Sequence, residues 1–178
     1  MKLKRAHVAG IVATALLFAA CKKDNNDTKE PVSAQDETFI VKASQSNRAE
    51  IDLGNLALQK ATDSTVKMFA QMMVDDHTTA QNDLQTVVGN LNTTANLNDS
   101  LSADQVAMHT MLQGLSGTAF DSAYIQGQLL GHQQTLNDFD TELNGGQNAR
   151  VKTYAATYRP KIQSHYTLAD SIATHANQ

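Results

Sequence analysis

The stretch VKMFAQMMVDDHTTAQNDLQTVVGNL, residues 66–91, decides the fold. Val66, Ala70, Met73, His77, Ala80, Leu84, Val87 and Leu91 recur in alternating steps of four and three. That rhythm matches the 3.6-residue turn of an α-helix and gathers these side chains on one stripe. A strand would alternate every second residue, and this segment does not. The stripe is apolar except for His77, so a helix here carries one imidazole into its core face.

The same rhythm recurs on both sides. Phe39, Ala43, Ser46, Glu50, Leu53 and Ala57 predict a helix over about 36–61, with Asp63 or Ser64 capping the next one. Ser102 and Gln105 form the pattern of a capping box before a short helix over about 103–115. Ile125, Leu129, His132, Leu136, Phe139 and Leu143 give a long helix over about 119–143. "NGGQN" stops it, and Asn148 caps a last helix over about 149–175. That helix contains Pro160, which is expected to kink it. The chain has only two prolines in 178 residues and no β-branched runs. The expected class is all-α: an antiparallel four-helix bundle with a short extra helix in the long crossover, filling residues 36–178.

Each long helix sets one titratable residue on its apolar seam: Glu50, His77, His132 and His165. Such groups are costly to bury unless paired, hydrogen-bonded or bound to a metal. Counting residues from the turns puts Glu50, His77 and His132 at one level. It leaves His165 about 7.5 Å away along the axis, at about 1.5 Å per residue. Asp76 is placed to support His77, and Tyr124 to donate to His165. Two readings stay open. Imidazole and carboxylate suit a transition metal such as zinc, manganese, iron or copper. A hydrogen-bonded polar layer that sets helix register accounts for the same residues. Met68, Met72, Met73, Met108 and Met111 are read as core filler.

The first residues carry a separate message. Lys2, Lys4 and Arg5 precede an apolar run from Val8 to Ala20 that is too short to span a membrane. "LFAAC" then resembles a lipobox, so residues 1–20 are expected to be a lipoprotein signal peptide. Cys21, the sole cysteine, is then the lipidated first residue of the mature chain. Residues 21–35 read as a flexible tether. Loss of the three basic residues takes the formal charge from −4 to −7, which argues against nucleic acid as a partner. The membrane contact is expected to be the lipid anchor alone. The expected address is the cell envelope, on the outer membrane, facing periplasm or cell surface. "KKDNND" after the cysteine partly resembles surface-export tags.

"FIVKASQSNRAEIDLGNLALQKATDSTVKMFAQMMVDDH", "FDSAYIQGQLLGH" and "VKTYAATYRPKIQSH" together resemble the ferritin-like domain-of-unknown-function family 4142, from about Phe39 to Ile172. The resemblance implies a ferritin-like four-helix bundle exported from a bacterium, and no defined activity. True di-iron members of that fold class carry two Glu-x-x-His motifs. Here Val74, Leu129 and Ile162 stand three residues before the seam histidines, which argues against a ferroxidase. The expected function is a non-enzymatic, lipid-anchored binding or interaction module. The alternative is a metal-binding envelope protein using Glu50, His77 and His132, with His165 and Asp76 nearby.

Overall fold

A computed structural model describes residues 29–97 and 100–175. Its helices are α1 (Ala34–Lys60), α2 (Ser64–Gly89), α3 (Ala103–Gln113), α4 (Gly117–Gly145) and α5 (Ala149–His175). The fold is all-α, and each expected helix is present. Two short strands, β1 (Glu30–Pro31) and β2 (Leu91–Asn92), pair in parallel. The leader and Cys21 lie outside the described residues.

The helix ends follow from their caps. Asp63 accepts from the amides of Thr65 and Val66. Asn148 does the same for Arg150 and Val151, and Ser102 forms its box with Gln105. These contacts satisfy amides that a helix start leaves without intrahelical partners. The first helix starts earlier than the spacing suggests, because Ser33 and Asp36 make a capping box before Ala34. The tether, expected to run to Gln35, therefore ends sooner: β1 pairs with β2, and Arg150 bonds Glu30 at 2.8 Å. Pro160 does not end α5, which continues through it to His175. Proline removes one helical hydrogen bond, to the carbonyl of Ala156, and both residues are exposed, so the freed carbonyl is open to solvent.

The long helices pack as α1 on α2, α4 on α5, α1 on α4 and α2 on α5, while α3 touches α1 and α4. At Gly54, α1 and α2 approach so closely that a Cβ would lie 2.7 Å from Val74 Cγ2 and 3.0 Å from the Ala70 carbonyl. Met73 is buried, but Met68 and Met111 are exposed on the surface, against the core role expected for them.

The core is two apolar clusters rather than one. The first holds Phe39, Leu84, Phe139 and Tyr154, and the second holds Phe69, Met73, Phe120 and Ile125. Along every long helix the change from one cluster to the other falls at a polar residue: Asn47 and Glu50 on α1, His77 on α2, His132 on α4 and His165 on α5. The tertiary packing thus lays a polar layer across the middle of the fold.

A second polar cluster ties the turn between α4 and α5 to the start of α1. Asp36 Oδ1 accepts from the amides of Gln147 and Asn148, and Oδ2 accepts from the Ser33 amide. Burial would raise this carboxyl, but hydrogen bonds from the Ser33 hydroxyl and amide, the Asn148 amide and Glu142 hold it down at about 2. Glu142 lies beside it, fully buried, in the space that a side chain at position 146 would occupy; only glycine leaves that room. Burial first, and then the Asp36 carboxylate, push Glu142 up to about 7. A raised carboxyl adds stability that is complete below its ordinary value of 4.5 and is lost as pH rises through about 7. Glu142→Gln keeps the shape without the charge. It is expected to match the wild type at pH 4 and to exceed it in stability at pH 8. Urea unfolding of both proteins at the two pH values checks this, and equal midpoints at pH 8 would refute it.

Candidate metal centre

The polar layer brings three imidazoles together. One ring nitrogen from each of His77, His132 and His165 lies within 4.8 Å of the other two, and all three residues are buried. Ring centroids are 5.8 Å apart for His77 and His132, and 5.4 Å for each pair that includes His165.

The outer nitrogen of each ring is fixed by an acceptor. His77 Nδ1 donates to Asn47 Oδ1 at 3.0 Å. His132 Nδ1 donates to the backbone carbonyl of Gln128 at 2.9 Å. His165 Nε2 donates to Asp76 Oδ2 at 2.9 Å. The acceptors set the tautomers, because a carbonyl and a carboxylate can only receive. Asn47 is oriented in turn: its amide nitrogen donates to the Tyr154 hydroxyl at 3.1 Å and to Gln81 at 3.3 Å. The remaining nitrogens, His77 Nε2, His132 Nε2 and His165 Nδ1, are buried with no hydrogen-bond partner among the described residues. In these tautomers each carries a lone pair.

Electrostatics keeps two of the rings neutral. Burial first, and then the neighbouring imidazoles, hold His77 well below its usual range. Burial brings His165 down to about 4, although the bond to Asp76 resists this. Burial alone would raise Asp76, but hydrogen bonds from Lys161 and His165 hold it below its ordinary value. The result is three buried imidazoles, two of them held neutral, each backed by an acceptor on its far side. Histidines that bind metal are oriented in this way. Three nitrogens at metal–nitrogen distances of about 2.0–2.1 Å would stand about 3.4 Å apart, so binding requires the rings to draw together by about an ångström.

The expected residues divide. His165, placed a turn away by residue counting, belongs to the triad. Side chains tilt toward the N-terminus of their own helix. In the α4–α5 hairpin this moves His132 away from the turn and His165 toward it, which closes the gap. Glu50 is beside the triad rather than in it: its Oε1 is 3.9 Å from His132 Nδ1, and its Oε2 accepts from Gln128 Nε2 at 2.8 Å. Asp76 supports His165, not His77. Tyr124 does not donate to His165. Its ring packs on Phe69 and Phe120, its hydroxyl is buried without a partner among the described residues, and burial with the Glu50 charge pushes it well above the usual range. Asn47 and Gln128 were missed. Their signal was present, since Asn47 lies four residues after Ala43 and Gln128 four before His132, both on helical stripes.

Neutral histidines with lowered values contribute stability that is complete above their ordinary 6.5 and is lost as pH falls, through about 4 for His165. Glu142 works in the opposite direction over an overlapping range. In a Glu142→Gln background, stability is therefore expected to fall steadily from pH 6.5 to pH 4. Denaturant midpoints across that range test it, and a flat profile would contradict the burial of His77 and His165 as neutral rings.

The comparisons follow from this geometry. No curated protein matches the sequence at a significant level. Two solved structures share the fold. A DUF305 fragment from Deinococcus radiodurans is 13% identical with a TM-score of 0.72, covering 82% of this chain and 99% of its own. A DUF305 protein from Streptomyces coelicolor, described as a candidate secreted protein, is 12% identical with a TM-score of 0.67, covering 80% and 92%. At such identity the likeness is one of fold, of the ferritin-like helical type. The model of a domain of unknown function, DUF4142, matches residues 21–172, and the chain belongs to that family.

Proposed function

We propose that this protein is a lipid-anchored helical module of the cell envelope that holds one transition metal ion on His77, His132 and His165. One observation carries the reading: three lone pairs converge in the core with no donor among the described residues to receive them. A buried polar atom left unsatisfied costs about 1–3 kcal/mol. Three of them are a heavy load against a total stability of about 5–15 kcal/mol. A cation removes that cost at all three nitrogens at once. A register-setting polar layer would need only the outer hydrogen bonds, which leave the inner nitrogens unexplained.

Three imidazoles suit zinc, copper or iron better than manganese, which prefers oxygen ligands. The cavity beside the triad has a volume of only about 10 Å³, room for one water. That favours holding a metal over acting on an organic substrate. The packing of the long helices supports an antiparallel four-helix bundle, with α3 as an extra helix in its crossover. For the address, the lipobox-like "LFAAC" supports export and lipidation at Cys21. Among the described residues no helix is long and apolar enough to cross a membrane, so attachment rests on the lipid.

Elemental analysis of protein purified without a histidine tag is expected to find about one metal ion per chain. His77→Ala, His132→Ala and His165→Ala are each expected to lose it. Zinc at about 100 times its Kd should stabilise the wild type by about 2.7 kcal/mol and leave the three variants unmoved. A wild type without metal whose melting temperature ignores zinc, cobalt and copper would end the proposal.

The anchor is tested separately. Cys21→Ser is expected to leave the membrane fraction and appear in the soluble one. Its retention on membranes after a salt wash would show that lipidation is not what holds the protein there.

A further inference from the structure

The triad is sealed, so a metal ion must reach it through a wall of the fold. On the side of α2 and α5 the way is narrow and closed by an ion pair. Lys161 Nζ lies 2.8 Å from Asp76 Oδ1, beside the bond from Asp76 to His165. The cavity there holds no more than a water. A cation approaching from that side finds the carboxylate of Asp76 already held by Lys161 and His165.

The opposite wall is different. A cavity of about 560 Å³ opens between α1, α3 and α4, and Glu50 forms part of its lining. Glu50 is 94% buried, yet only one of its oxygens is held, by Gln128. The other, Oε1, accepts no hydrogen bond among the described residues and lies 3.9 Å from His132 Nδ1. Helix α4 presents glycines to this cavity. Gly131 leaves the carboxylate open, since even a Cβ there would stand 3.6 Å from Oε1, and the thioether of Met108 lies over Gly127. Asp104 stands exposed in the lining, and Asp138 neutralises Lys42 at 2.7 Å. The cavity is therefore acidic, and its most buried anion touches the triad's edge. Nothing in the packing requires a half-satisfied carboxylate there, and burying one is costly.

We propose that this cavity is the loading route for the metal, and that Glu50 is the station which takes a divalent cation from solvent and passes it to the three histidines. The inference rests on the metal reading above and assigns Glu50 a kinetic role, not a place in the final ligand set. A carboxylate at the floor of a low-dielectric cleft concentrates cations and raises the rate of association. In the bound state the ion lies on the imidazoles and not on Glu50.

The test is stopped-flow loading of the full-length mature chain with cobalt(II), followed by the ligand-field bands of the bound ion. Glu50→Gln is expected to reach the same final spectrum and one cobalt per chain, but about tenfold more slowly. Asp104→Lys, a change on an exposed residue outside the triad, is expected to slow loading as well, with the difference shrinking in high salt. If Glu50→Gln does not fold, Asp104→Lys decides the outcome alone. Loading of both variants at the wild-type rate, with an unchanged final spectrum, would overturn the route and leave the metal site standing. A final spectrum changed by Glu50→Gln would make Glu50 a ligand and overturn its role as a station. A wild type that takes up no cobalt would refute the metal reading, and the route with it.

Discussion

The rest of the structure is arranged around one constraint: three imidazoles share the middle of an apolar core and must each be oriented from outside. Burial keeps His77 and His165 neutral. Each ring then has one nitrogen to donate and one to offer. Acceptors on three different elements take the donors: Asn47 from α1, the Gln128 carbonyl from α4 and Asp76 from α2. Because every donor is directed outward, every lone pair is directed inward. The helix register follows from this, since a shift of one residue in any helix would rotate its member out of the layer by about 100°.

This layer also explains why the core is divided. An apolar cluster lies on either side of it, and each cluster draws on all four long helices. The clusters seal the triad from water, which lowers the dielectric around it and depresses the basicity of His77 and His165. A site that must stay neutral to accept a cation is thus kept neutral by the packing that hides it. The same sealing makes access a separate problem, and the acidic cavity at Glu50 has the shape and charge to solve it.

The end of the fold where the chain enters from its N-terminal segment has its own polar anchor. Asp36 gathers amides from the α4–α5 turn, and Glu142 is packed against it where Gly146 leaves space. This cluster and the triad titrate in opposite senses. The carboxyl favours acid and the histidines favour neutral pH, so the whole chain is expected to show a shallower pH profile than either cluster alone.

By itself the sequence determined the helices, their caps and the presence of buried histidines. Steps of three and four residues report a helix directly, and capping is local chemistry at Asp63, Ser102 and Asn148. His77, His132 and His165 were visible as breaks in otherwise apolar stripes. Tertiary structure alone decided which of these groups meet. Residue counting treats side chains as points at the height of their own Cα, so it placed His165 a turn away and admitted Glu50. The tilt of each Cβ along its helix reverses between antiparallel neighbours, and that reversal brings His165 level with His132. Asn47 stands between Ser46 and Glu50 in a stripe wider than the one first drawn, and only the approach of α2 shows that it, and not Asp76, orients His77. The strand pairing of Glu30 and Pro31 was likewise illegible, because a two-residue parallel bridge depends on where β2 lies and leaves no periodicity in the chain.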